Sequence, residues 1–427
     1  MKFSAKHILC GVLVLLLGGC GMSHEEVKAQ RAVADYQAGD YSLAAKKLEP
    51  LADKTDENFA LNNLRLGSAD LARYDFQGAE DAFLKAYEVL NSFGANNGGR
   101  TLGAVLVDEK MKIWRGEPFE RAMANFYLGL IYYTQHDYNN ARAAFENALF
   151  KLKDYPDKND DSKDQFKEAD SNFVVATIML GRCWQQLGRD DLARAQFDAV
   201  IKERPDLEPL ANYERNAESN LLLVVEYGHG PERKTKFDGS ILGFTPTPDE
   251  VGSIPSPRVE VDGEWVNPHP FHEAPFDLLA MAQDRKWQSI DTIRAVKSAI
   301  GTGLIAGGAV EGLRGMDESG GRQRTDLIVG ASLLAAGAVL KATSQSDVRG
   351  WDMLPRTVFV IPLHVTPGAH DVTVEFRGGL RQTWRGLIAP DHGDNTYLIH
   401  MQRYDSGPFD WPPPGATAVT SAVTAAN

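Results

Sequence analysis

The sequence predicts an α+β protein: an N-terminal α-solenoid of paired helices, then a small β-rich, sandwich-like domain carrying an inserted glycine-rich helical hairpin. Three observations lead there. Apolar residues recur with helical spacing over residues 25–215, with a glycine and an aromatic returning at matched positions. Short strand-like runs bounded by glycine and proline occupy much of residues 216–410. Two glycine-rich apolar stretches fall inside the second part, within residues 292–342.

Ahead of the solenoid, Lys2 and Lys6 precede a nearly continuous apolar stretch, Ile8 to Leu17, broken only by Gly11. Leu17-Gly18-Gly19-Cys20 then sets small residues before a cysteine, and the whole resembles a lipobox. Small side chains fit a signal peptidase beside the cut, and the thiol accepts a diacylglycerol. Residues 1–19 are the expected signal peptide, Cys20 the lipidation site and 20–24 the tether. The apolar run is short for a bilayer span, which takes about 20 residues. Cleavage would remove Cys10 and lipidation would occupy Cys20, leaving Cys183 as an ordinary thiol with no disulfide partner. Its place among repeat-helix residues points to packing. Gly21 follows the cysteine, without the Asp of inner-membrane retention, so in a diderm organism the resemblance implies an outer-membrane lipoprotein facing the periplasm. The formal charge of −13 becomes −15 once Lys2 and Lys6 leave with the signal, which opposes broad binding to nucleic acid or to an anionic membrane.

The solenoid is read from recurrence. One unit contains Leu66-Gly67, Ala79, Phe83 and Ala86; another Leu128-Gly129, Tyr132, Tyr138, Ala141, Phe145 and Ala148; a third Leu180-Gly181, Trp184, Gly188, Ala193, Phe197 and Pro205. Gly39, Tyr41, Ala44 and Leu48 look like the second half of a degenerate unit. The pattern resembles tetratricopeptide repeats, built from antiparallel helix pairs. Glycine costs about 1 kcal/mol against alanine inside a helix. Its return at Gly67, Gly129 and Gly181 therefore points to backbones that approach closely. Ala141, Phe145 and Ala148 share one helical face, and Ala193 and Phe197 repeat the register.

Uneven spacing between units marks insertions near 91–119 and 151–170. Insertions are where a solenoid can build specificity without disturbing its core. Trp114, Arg115, Glu117 and Glu120 are accordingly candidate partner-binding residues, the alternative being a loop packed back on the repeats. Asp157, Asn159, Asp161 and Glu168 approximate a calcium loop, but Ser162 stands where the turn needs glycine, so a solvated charge cluster is expected.

In the second part, Leu221 to Tyr227, Thr357 to Val365, Asp371 to Phe376, Thr383 to Ile388 and Thr396 to Met401 read as strands, and Phe276 to Val296 as helical. Ile300 to Val310 and Leu327 to Leu340 form the expected hairpin, with Gly303 and Gly307 on one face and Gly308 and Gly312 likewise. Burial in a soluble body is the first reading of this hairpin; membrane insertion, an oligomeric pore and a peripheral contact are the alternatives. Residues 411–427, proline-rich and then Ala/Thr-rich, read as a disordered tail.

Trp114 to Phe119, the glycine-rich segment, Ser346 to Pro355 and Thr366 to Gly368 together resemble a poorly characterised family of bacterial lipoproteins with tetratricopeptide-like N-terminal regions. Membership would imply an envelope lipoprotein and transfers no enzyme mechanism. Asp347, Arg349 and Asp352 then either form a polar network near Trp351 or secure a loop, with Trp351 and Leu354 as anchors. There is no HExxH, GxSxG or phosphate-binding loop, and the histidines are dispersed, so no catalytic residue, metal ligand or cofactor is assigned. The leading expectation is a membrane-tethered scaffold or assembly factor that binds envelope proteins through its repeats. An envelope hydrolase or other enzyme, and an oligomeric membrane component, are the alternatives.

Overall fold

The computed structural model describes residues 24–92, 113–150, 152–154, 167–169, 171–216, 219–236, 241–246, 254–266, 276–284, 287, 349–376, 378–401 and 406–413. Cys20, Asp347, the acidic run 157–161 and the glycine-rich segment with Gly303, Gly307, Gly308 and Gly312 lie outside them.

Within them the chain forms four helix pairs: α1 (His24–Gln37) with α2 (Tyr41–Ala52), α3 (Phe59–Ala72) with α4 (Phe76–Ser92), α5 (Pro118–Thr134) with α6 (Tyr138–Ala148), and α7 (Val174–Gln186) with α8 (Asp190–Glu203). A short α9 (Glu208–Arg215) closes the stack. Each pair turns the same way. A residue in the left-handed region ends the first helix: Gly39, Tyr74, His136 and Gly188, with φ between +60° and +85°. The next N–H reaches back to the carbonyl five residues earlier: Asp40 to Asp35, Asp75 to Asp70, Asp137 to Tyr132 and Arg189 to Trp184, at 2.8–2.9 Å. Asp40 and Asp137 then cap the following helix by accepting from Leu43 and Asn140.

The glycines do what their recurrence predicts. A Cβ on Gly67, Gly129 or Gly181 would stand 2.6–2.8 Å from the ring of Phe83, Phe145 or Phe197, well inside contact distance. Ala141 and Ala193 are buried beside these rings. Three residues on, Tyr132 hydrogen-bonds to Glu80 of α4, and Arg142 of α6 lies 5.0 Å over the ring of Trp184. These two aromatics therefore reach back to the preceding pair. Cys183 is buried in α7.

A mixed, open β region follows. One sheet has the order β12-β3-β9-β8: β3 (Leu221–Tyr227) pairs parallel with β12 (Asn395–Met401) and antiparallel with β9 (Thr357–Leu363), which also pairs with the two-residue β8 (Phe276–Asp277). The other runs β13-β11-β10-β6-β7, from β6 (Arg258–Val261), β7 (Glu264–Val266), β10 (Gly368–Glu375), β11 (Arg381–Ala389) and β13 (Ser406–Asp410); β11 and β13 are parallel, the rest antiparallel. Two ribbons, β1–β2 (Leu152–Asp154, Lys167–Ala169) and β4–β5 (Glu232–Lys236, Ile241–Thr245), complete the strands. Phe276 starts this strand pairing rather than a helix, which begins only as α10 (Leu278–Gln283) after Asp277 caps Leu279 and Ala280.

β9 is buried along its whole length and β3 at every position but its last, as continuous apolar strands covered on both faces are. β11 alternates, with one face inward. Phe376, just after β10, lies 4.0 Å from the ring of Tyr227 and 5.5 Å from Phe359, joining the sheets. Trp411, expected to begin the disordered tail, instead packs on Tyr74 and Tyr397 at 5.2 and 4.9 Å, because three aromatic neighbours give it a place to be buried. No helix among the described residues is long and apolar enough to cross a membrane.

Candidate functional site

The inner helices of the repeat are covered on both sides. α3 buries every residue but Leu66, α5 all but Arg121, Tyr132 and Thr134, and α7 all but its last three. The outer helices bury one stripe only: Ala141, Ala144, Phe145 and Ala148 in α6, and Ala193, Phe197 and Val200 in α8. What covers the inner face is the chain's own β region. Tyr74 donates to the Leu398 carbonyl at 2.6 Å, and Tyr133 to Asp394 at 3.1 Å. The groove of this solenoid is filled from within.

The two sequence segments singled out for their unusual residues meet at this seam. Trp114 is buried, its backbone N–H bonds to the Glu57 carbonyl, and its indole donates to the Arg349 carbonyl at 3.2 Å. Glu120 accepts from the backbone of Glu117 and of Trp351, both at 2.6 Å. Glu117, N-cap of α5, forms a buried ion pair with Arg233. Arg349 reaches the Glu57 carbonyl and the Asn58 side chain at 2.9 and 2.7 Å. Trp351 donates to Ser68 at 3.0 Å and packs against the stacked rings of Phe83 and Tyr127. Leu354 is buried, and its carbonyl accepts from Gly230 at 2.7 Å.

Three of the four residues proposed for partner recognition thus face inward. Trp114, Glu117 and Glu120 are 1–2% exposed and bonded to groups of the same chain; Arg115 is the exposed one. An aromatic and two carboxylates around a Gly-Glu-Pro sequence are compatible with either side of a loop, and here each has a partner more than 100 residues away.

Beside this contact lies a cavity of about 420 Å³ between α1 and the segments 229–233 and 349–352. Its polar wall includes Glu26, Gln30, Arg65, Glu232, Arg233, Arg349 and Asp352. Arg65 is 1% exposed, yet charged: burial opposes its charge, but Asp352, which it grips with two bonds of 2.9 and 2.8 Å, and Glu26 hold it up. Gln30 adds a bond to Asp352 at 2.9 Å. Arg65 in this wall is paired with Asp352 and Glu26 and Arg233 with Glu117, an arrangement suited to holding a shape. No serine, threonine, cysteine or lysine is among the described residues lining it. Among the described residues no group of three His, Cys, Asp or Glu side chains is placed to hold a metal ion.

Two further polar clusters tie the halves together. Glu226 on β3 meets His400 on β12 at 2.9 Å, both buried, and Tyr127 hydrogen-bonds to the same carboxylate. The hydroxyls of Tyr36, Tyr41 and Tyr127 are pushed up, first by burial and then by Glu226. Arg182 on α7 pairs with Glu214 and with Asp394, the latter at 2.6 Å, and also reaches Ser219 and Tyr133. Burial pushes the Glu214 carboxyl up against the opposing pull of Arg182. None of these clusters was read from the sequence, although a signal exists. Arg182 stands beside Gly181 in the largely apolar run Val174–Cys183, and a charge there requires a buried partner.

No protein-family model matches the chain, and no curated protein matches it. Among solved structures the chain is similar to that of a thermophilic TPR protein in Thermus thermophilus, at 16% identity and a TM-score of 0.20, over 44% of this chain and 98% of that one. The tetratricopeptide-like pairing of the helices stands on the four matched turns and the three glycine–phenylalanine contacts.

Proposed function

We propose that this protein is a lipid-anchored scaffold or assembly factor of the bacterial cell envelope, held at the outer membrane and facing the periplasm. In the same reading its two sheets form a sandwich, and residues 292–342 the inserted hairpin. The architecture is that of a repeat protein able to mediate protein contacts. The observation that carries the proposal is the self-filled groove. With α3, α5 and α7 committed to the chain's own strands, the surfaces left for partners are the outer helices and the insertions. Leu43 on α2 and Leu84 on α4 are exposed apolar side chains there.

Photo-crosslinking residues placed at Leu43, Leu84 and Leu64 in intact cells test this. Adducts to one envelope protein from 43 or 84, with none from the buried 64, are expected. Adducts from 64, or none from either outer position, would count against it. The anchor is tested separately: Cys20→Ala should abolish incorporation of a labelled lipid precursor, and undiminished incorporation removes the anchor.

A further inference from the structure

The cavity between α1 and the segments 229–233 and 349–352 has one wall built on a single helical face. Glu26, Gln30, Val33 and Ala34 of α1, spaced by four, three and one residues, all line it. Its volume of about 420 Å³ falls in the range of small-molecule sites, about 300–1,000 Å³. No lysine lies among the described residues of its lining, so an ammonium there would have to come from outside.

The acceptors on this wall are fixed in place. The Gln30 amide nitrogen donates to Glu26 at 3.0 Å and to Asp352 at 2.9 Å, which uses both of its hydrogens. Ionised carboxylates only accept, so the amide cannot be turned over, and its Oε1 is the end left for a ligand. Among the described residues no donor reaches that oxygen. Asp352 is gripped by Arg65, whose Nε reaches Oδ1 at 2.9 Å and whose Nη2 reaches Oδ2 at 2.8 Å. Oδ2 also takes the Gln30 bond, whereas Oδ1 has the one bond and keeps capacity for a second donor. The Asp352 side chain is 27% exposed, so a ligand can reach it.

Charge points the same way. Glu26 and Asp352 both bond to Arg65, two carboxylates to one guanidinium, so the cluster around Gln30 is negative. Elsewhere on the wall Arg233 is paired with Glu117, and Arg349 and Glu232 bring one charge of each sign. One turn beyond Gln30, about 5.4 Å along the helix, the polar wall gives way to Val33 and Ala34. Two waiting acceptors in a negative field, followed by a short apolar step, describe the complement of a cationic donor on an aliphatic chain.

We infer that this cavity binds a primary alkylammonium, as carried by a free aliphatic diamine or by a lysine side chain. The ammonium donates to Gln30 Oε1 and Asp352 Oδ1, and its methylenes lie along Val33 and Ala34. Because Arg65 and Asp352 come from the repeat and from the segment after it, an occupant also bridges the two halves of the molecule. The site stands whether or not the chain is anchored at a membrane.

The test is isothermal titration calorimetry of the full chain with diaminopentane and with Nα-acetyl-lysine methylamide. Salt of about 0.15 M screens unspecific attraction to the chain's net charge of −13. Saturable one-to-one binding of at least one probe is expected. Gln30→Lys supplies the chain's own ammonium to the same carboxylates, so binding should weaken at least tenfold while the urea midpoint holds or rises. Gln77→Lys, which adds the same charge at an exposed position on α4, should bind as the parent does. If Gln30→Lys does not fold, Glu26→Gln is read in its place; it keeps an acceptor, removes one negative charge and should weaken binding several-fold. Tighter binding of diaminopentane assigns the site to a free amine, and tighter binding of the blocked lysine assigns it to a protein side chain. No saturable binding of either probe, undiminished affinity in the folded cavity variant, or an equal loss in Gln77→Lys overturns the assignment.

Discussion

Phe145 lies flat against the backbone of α5 because Gly129 leaves room for it, and the same contact joins Phe83 to Gly67 and Phe197 to Gly181. Even a methyl at 129 meets the ring at 2.6 Å, so Gly129→Ala must shift Phe145 although it improves helix propensity. The overlap should win, costing about 1–3 kcal/mol. A chemical-denaturation double-mutant cycle with Phe145→Leu checks it: coupling shows as a smaller cost of Gly129→Ala once the ring is gone, and simple additivity rejects the contact as the cause. Charge gives the second case. Asp352→Ala leaves the buried Arg65 with Glu26 as its remaining carboxylate partner and should destabilise by about 3 kcal/mol. Glu146→Ala, which breaks the exposed pair with Arg142, should cost under about 0.5 kcal/mol. Equal losses in the two variants, read from urea midpoints, would show that Arg65 is not held by Asp352.

The helices were legible in the sequence to the degree that each carries its own record. The glycine and phenylalanine of a pair lie within one unit, so their complementarity repeats and can be read. The turns were half legible: Gly39 and Gly188 announce a left-handed residue, whereas Tyr74 and His136 adopt it with side chains that rarely do. Strands β3 and β9 are legible as apolar runs, but their place on the repeat is not, since Arg65 and Asp352 are 287 residues apart and neither names the other. In the second sheet, His370 on β10 shows what burial between two acceptors does. Its ring nitrogens lie 2.6 Å from Asp262 and 2.6 Å from the Thr366 carbonyl, so both bonds are satisfied only by the imidazolium. Burial alone would lower its pKa, yet Asp262 and the carbonyl together raise it, while His370 and the Asp371 N–H lower that of Asp262. The pair's stabilisation is therefore present in mild acid and fades as pH rises through the raised histidine value; it also fades in strong acid, as Asp262 takes up its proton. Denaturation midpoints should fall as pH rises from the ordinary histidine range through the raised value, and Asp262→Asn should flatten that slope. An unchanged slope in the variant would assign it to another group.

Taken together, the repeat and the β region share one interior, from Tyr36 and Trp351 to Asp394. Unlike an open solenoid, whose units contact only their neighbours, this one has helices that cannot be buried without strands distant in the chain. One cooperative unfolding transition is expected, coincident by tryptophan fluorescence and far-ultraviolet circular dichroism, and residues 24–216 alone should aggregate rather than fold. Two separated transitions, or a soluble and cooperatively folding fragment, would show that the halves are independent. The order of the chain gives that shared interior a temporal meaning. A polypeptide delivered N-terminus first presents α1 through α8 before β9 or β12 exists, so the inner faces of α3, α5 and α7 stand bare until residues 349–401 arrive. Completion of the repeat thus waits on the last quarter of the polypeptide, and a holding chaperone would find its apolar target in that interval and lose it when Trp351 and Leu398 take their places.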